Sequence, residues 1–166
     1  GFVIKAEKCP NRRGVETILK HVGGRTLNFQ QFLAAAAEGK YAAAYVVGGY
    51  PAGWLDDAAT RALGRIPFLA LHDLFPSPVA QQAQVVIPGA AWYEREGSYL
   101  NCDGLLQAFE RAVSPLEGVK ADGQFFAELN GEAGLFRAAS VRERMAAQMP
   151  EFGEVFTPRP LPEHAH

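Results

Sequence analysis

The sequence predicts an α/β fold: a Rossmann-like parallel sheet with flanking helices, followed by an irregular segment and C-terminal helices. Three short apolar runs, residues 42–47, 68–72 and 85–87, alternate with helical patterns. The runs are continuously apolar rather than alternating, as in strands covered on both faces. The connections are short, which suits parallel crossovers that return the chain through a helix.

Each element has a local cause. The opening Gly1-Phe2-Val3-Ile4 reads like the middle of a strand. Residues 28–38 predict a helix, with Asn28 as cap, Phe29, Phe32, Leu33 and Ala36 at helical spacing, and Gly39 as stop. The run 42–47 then ends at Gly48-Gly49. Residues 56–63 predict a second helix, acidic in its first turn and closed by Gly64. After the run 68–72, Ser77 caps a short helix to Gln82, with Pro78 at its first position. The run 85–87 is stopped by Pro88. From there to about Gly123 the chain reads as irregular. Helical patterns resume at 123–129 and 140–148, where Val141, Met145 and Met149 share a face that reads as core.

The 166 residues fit one domain, residues 1–150, with an extended tail over 151–166, where three prolines follow Thr157. A chain that opens without Met or a signal peptide is expected to be an excised piece of a longer polypeptide. Hydrophobic residues make up 48% and charged residues 20%, which excludes wholesale disorder, and no apolar run reaches membrane-spanning length. A net charge of -2 without a basic cluster removes the pull toward nucleic acid. Cys9 and Cys102 lack metal or disulfide spacing and read as free thiols. His164 and His166 have no third ligand nearby and read as a floppy or appended terminus.

In open parallel sheets ligands sit beyond the carboxyl ends of the strands, so three loops qualify as sites. The first, residues 48–53, has glycines that permit close backbone approach, but it is neither a dinucleotide fingerprint nor a Walker loop and also reads as a tight turn. The second, His72-Asp73-Leu74-Phe75, offers a carboxylate to ribose, or a plain turn residue. The third, residues 90–104, holds Glu94 and Glu96 two apart with Arg95 between them, which reads as a solvated turn rather than an acid/base pair. Cys102 beside Asp103 has no local His, and an anion raises a thiol pKa. These residues define a ligand-facing edge and no catalytic centre.

The segment AQVVIPGAAWYEREGSYLNCDG at residues 83–104, with Gln107 beyond it, strongly resembles a signature of the molybdopterin oxidoreductase family. Within that family it is most similar to the large iron-sulfur subunit of NADH-quinone oxidoreductase, the G subunit of complex I. Asn11 with Gly14, Val47-Gly48-Gly49-Tyr50-Pro51, and Met149-Pro150-Glu151-Phe152 resemble shorter family motifs. Where the cofactor is kept, the resemblance implies an α/β domain gripping the guanosine end of a bis-molybdopterin guanine dinucleotide. Gly48, Gly49, Pro51, His72, Asp73, Asn101, Asp103, Gly104 and Gln107 would then face the cofactor. It implies no catalytic or metal-ligating residue here, since the metal ligand and iron-sulfur cysteines belong to other parts of such proteins.

Three positions depart from the family: Gln84 replaces an Asp, Tyr50 an Asn, and Leu105 an Arg whose fixed cation suits phosphate. Two functions from different classes follow. One is a structural scaffold with a degenerate pterin-nucleotide site in a complex I G-type subunit. It would touch other segments of that subunit and other subunits, and lie in the cytoplasm, peripheral to the membrane through the complex. The other is the cofactor-gripping piece of a true, formate dehydrogenase-like enzyme. An independent nucleotide-binding module rests on the α/β pattern alone.

Overall fold

The computed structural model describes residues 9–49 and 53–156. The expected strand at 1–4 and the Pro-rich segment from Thr157 lie outside them. The described residues form helices α1 (Arg12–Val22), α2 (Phe29–Ala37), α3 (Asp57–Leu63), α4 (Asp122–Leu129) and α5 (Ala138–Ala146), and strands β1 (Ala43–Val47), β2 (Phe68–Asp73), β3 (Val85–Pro88), β4 (Gly97–Leu100) and β5 (Leu106–Phe109). They divide into two compact units, one drawn from 25–49, 53–95 and 111–136, the other from 9–24, 96–110 and 137–156.

The first unit is the predicted parallel α/β layer, with strand order β1-β2-β3. Its helices start where the sequence says. Asn28 and Gln31 cap α2 reciprocally, each side chain accepting the other's backbone N–H at 2.9 and 3.0 Å. Asp56 Oδ1 takes the Ala59 N–H at 2.7 Å to start α3. The period of two along a strand sends Leu69 and Leu71 of β2 to one face. There they join Ala44 and Val46 of β1 under Phe32, Leu33 and Ala36 of α2 and Leu63 of α3. Leu69 and Leu71 are fully buried, each contributing about 1.5–3 kcal/mol of transfer free energy. On the opposite face Tyr45 and His72 meet Phe125 of α4.

Continuous apolarity overstates the cover on two of the three strands. Only β2 is buried almost throughout; β1 and β3 are the outer strands, and Val47, Val85 and Val86 stay about half exposed. The turn after Ser77 is a 3-10 turn, Pro78–Gln81, and Ser77 makes no side-chain cap.

The second unit holds what the sequence did not suggest. Within the stretch expected to be irregular, β4 and β5 form an antiparallel hairpin. Leu100 and Leu106, paired across it, are buried with Met149 and Phe152 beside Ile18 and Met145. The Met positions are core, as expected. Helix α1, whose Val15, Ile18, Leu19 and Val22 have helical spacing, was not anticipated. Packed chain also runs past residue 150: Phe152 is buried, and the Phe156 N–H donates to Leu106 O at 2.7 Å. Cys9 and Cys102 form no disulfide. No helix among the described residues is long and apolar enough to cross a membrane.

Candidate functional site

Parallel register places the end of β2 beside the loop leaving β1. Val47 pairs with His72, so Gly48 follows next to Asp73 and its N–H donates to His72 O at 2.8 Å. Asp73 is buried, and its carboxylate is engaged by the chain itself. Oδ1 accepts from the Gly49 N–H at 2.9 Å and the Leu74 N–H at 2.8 Å, while Oδ2 accepts from the Trp54 indole N–H at 3.0 Å. A carboxylate offers about four lone-pair sites, and three are taken. A Cβ at Gly48 would overlap the Asp73 carboxylate, and Gly49 sits at φ 117, open to glycine and strained for other residues. The glycines therefore fit the carboxylate, which in turn fixes the loop.

His72 points to the other face of the sheet and is 2% exposed. Its Nδ1 lies 2.7 Å from Tyr45 Oη on β1, and its Nε2 lies 3.4 Å from Asp122 Oδ1 on α4 without a hydrogen-bond partner. The other oxygen of Asp122 is ion-paired with Arg95. Burial, then the Arg95 charge, lower the His72 pKa from its ordinary 6.5 against an opposing pull from Asp73, so the imidazole is neutral near pH 7. Partial burial raises the Tyr45 pKa. The phenol therefore keeps its proton.

In the second unit the remaining predicted residues gather at the hairpin turn. Asn101 Oδ1 accepts from the N–H groups of Asp103 and Leu105, both at 2.9 Å, and Gly104 takes φ 82. Asn101 thus shapes the turn, an Asx arrangement that the Gly completes. Asp103 and Gln107 are exposed. Leu105, at the position of the family's Arg, is 41% exposed. Arg13 of α1 donates to Cys102 O at 3.0 Å, placing a guanidinium on this turn. Asn11, with a left-handed φ of 62, accepts the Leu100 N–H at 2.9 Å through Oδ1, and a Cβ at Gly14 would collide with that side chain.

Structure thus brings Gly48, Gly49, His72 and Asp73 together at one pair of strand ends, and Asn101, Asp103, Gly104 and Gln107 at one hairpin in the other unit. Pro51 and Tyr50 lie outside the described residues. Glu94 accepts the Ala91 N–H at 2.8 Å, so it caps its own turn rather than pairing with Glu96. Gln84 accepts the Leu69 N–H at 2.6 Å and steadies the start of β2. Sequence reasoning missed Tyr45, Trp54, Arg95 and Asp122 as partners. Tyr45 carried a usable signal, a hydroxyl inside an apolar strand; the others depend on long-range contacts. Ser77 Oγ is buried without a hydrogen-bond partner. Among the described residues no cluster of His, Cys, Asp or Glu is arranged to hold a metal.

Comparison with known proteins places these features in a family. Formate dehydrogenase H of Escherichia coli is 30% identical over 125 residues, covering 74% of this chain and 17% of that protein. The alpha subunit of the NADPH-Fe(3+) oxidoreductase of Geobacter sulfurreducens is 28% identical over 131 residues, 75% of this chain and 16% of the relative. The G subunit of the NADH-quinone oxidoreductase of Streptomyces coelicolor is 37% identical over 98 residues, 58% of this chain and 11% of the relative. The chain therefore spans about a sixth of the first two relatives. The family model for molybdopterin oxidoreductase matches residues 15–132, most of the described chain, including the parallel sheet and the signature segment. This chain belongs to the molybdopterin oxidoreductase family.

Proposed function

We propose that the chain is a non-catalytic α/β piece of a protein like the G subunit of NADH-quinone oxidoreductase, a structural scaffold whose pterin-nucleotide site is degenerate. Its expected contacts are other segments of the same polypeptide and neighbouring subunits of a redox complex, placed in the cytoplasm and peripheral to the membrane. The reading rests chiefly on Asp73. The carboxylate that would receive ribose or guanine is buried and bonded to Gly49, Leu74 and Trp54, and His72 beside it is almost wholly inaccessible. Leu105 offers no charge to a phosphate. These residues do not fit a large nucleotide group.

Calorimetry with molybdopterin guanine dinucleotide, and with GDP as a fragment of it, tests the proposal. No saturable heat is expected; stoichiometric tight binding would overturn it. A second reading, the cofactor-gripping piece of a formate dehydrogenase-like enzyme, draws on the match to formate dehydrogenase H and on the unpartnered Ser77 hydroxyl beyond the carboxyl end of β2. It requires molybdenum in the full-length protein by elemental analysis, and its absence there defeats that reading.

A further inference from the structure

Charged and titratable groups converge where α4 meets the sheet, on the face of β2 opposite the main core. We propose that they form a proton-operated latch: with His72 neutral, the first turn of α4 stays docked on β1 and β2, and uptake of a proton by His72 releases it.

The geometry selects one neutral form of the ring. If Nδ1 accepts the Tyr45 hydroxyl proton across 2.7 Å, Nε2 carries hydrogen toward Asp122 Oδ1 at 3.4 Å, an attractive arrangement. The other tautomer would set the Nε2 lone pair against the carboxylate. A second proton must enter at Nδ1, so Tyr45 has to turn from donor to acceptor. The resulting imidazolium would be 1% exposed, and its nearest carboxylate is already shared with Arg95. The groups facing His72 are Tyr45 from β1, Asp122 from α4, Arg95 from the turn before β4, and Asp73 on its own strand. Asp73 is the one charge that favours protonation without belonging to α4, and it is engaged by three donors on the loop side. The docked form therefore binds the proton more weakly than an opened form with a hydrated ring, and by linkage acid favours opening.

Helix α4 is suited to leaving. Phe125 and Phe126 pack on Tyr45, but Phe126 is 44% and Leu129 71% exposed, so the hold is concentrated in the first turn. Gln124 bonds the Phe136 N–H at 2.8 Å and Gly134 O at 3.2 Å, and would carry residues 134–136 along. Elements with few buried contacts are the ones that open locally.

Hydrogen exchange on the whole chain at pH 7.5 and 5.5, corrected for intrinsic rates, tests this. Amides of α4 are expected to lose up to about tenfold in protection at pH 5.5, the linkage limit one pH unit below an opened-state pKa near 6.5, while β1 and β2 keep theirs. His72→Gln should remove the difference. An NMR titration of the wild-type His72 ring, resolved from His21, His164 and His166, guards against a variant that fails to fold and should give a pKa below 6.5. Equal α4 protection at both pH values, an unchanged acid effect in His72→Gln, or a ring titrating at 6.5 or above would overturn the latch.

Discussion

Replacing Asp73 with Ala removes the acceptor of three donors at once, the N–H groups of Gly49 and Leu74 and the Trp54 indole. Hydrogen bonds to a charged group contribute about 1.5–3 kcal/mol each. Gly49 is exposed and regains water, so its bond counts least; Leu74 and Trp54 are half-buried and count more. Allowing for non-additivity, Asp73→Ala should destabilise by about 3–5 kcal/mol, roughly 10–15 °C in Tm for a chain of this size. Asp73→Asn keeps the two bonds at Oδ1 but turns an amide N–H toward the indole N–H, for a loss of about 1–3 kcal/mol. Urea unfolding in a Trp92→Phe background suits the measurement, because Trp92 is 66% exposed and Trp54 is the other of the two tryptophans. A red shift of native Trp54 emission should accompany the loss. Stability within about 0.5 kcal/mol of the parent and unchanged emission would refute the argument that Asp73 is committed to its own loop.

Other perturbations probe neighbouring parts. Gly48→Ala drives a methyl into the Asp73 carboxylate and should destabilise by about 1–3 kcal/mol; combined with Asp73→Ala in urea denaturation, its effect should largely vanish, since the obstacle is gone. Asn11→Ala forces a left-handed φ on alanine and strips the buried Leu100 of its N–H partner, a loss of about 2 kcal/mol by denaturant midpoint, whereas Asn11→Gly keeps the backbone and loses less. The His72 pKa is depressed in the folded state, so unfolded chains bind more protons below pH 6.5. Its contribution to stability is complete above pH 6.5 and is lost as pH falls through the folded-state pKa, at no more than about 1.36 kcal/mol per pH unit for one proton. Urea curves between pH 7.5 and 5 should show this slope in the wild type and a shallower one in His72→Gln. Leu105→Arg, on an exposed turn, should change stability by less than about 0.5 kcal/mol by denaturant midpoint.

The parallel layer was legible because its causes are local. Asn28, Asp56 and the glycines after each helix set the boundaries, and apolar runs separated by helices imply strand crossovers whatever else the chain does. Burial on β1 and β3 was not legible, since an apolar run does not say whether its strand is central. The β4–β5 hairpin escaped although Asp103-Gly104 is a turn signal, because the turn is closed by the Asn101 side chain bonding two backbone groups and the short strands around it alternate poorly. The apolar runs put Asp73 and Gly48 at strand ends, where the structure has them, but said nothing of their partners. Trp54 lies 19 residues away from Asp73 and Asp122 lies 50 from His72, and such pairings exist only once the sheet has formed.

A buried carboxylate at the end of a central strand is stable only if donors surround it. A ligand can supply those donors, or the chain can. Here Trp54 and the Gly49 and Leu74 amides supply them, which satisfies the Asp73 carboxylate without a guest and ties the β1 loop to β2. The same arrangement would oppose a nucleotide, since any guest donor must displace the indole or take the one lone pair left on Oδ2. Restoring affinity at this strand end would therefore require that the indole release the carboxylate. Trp54→Ala is thus the variant in which GDP heat should first become measurable; heat of the same size in the parent chain would mean that the carboxylate was accessible all along.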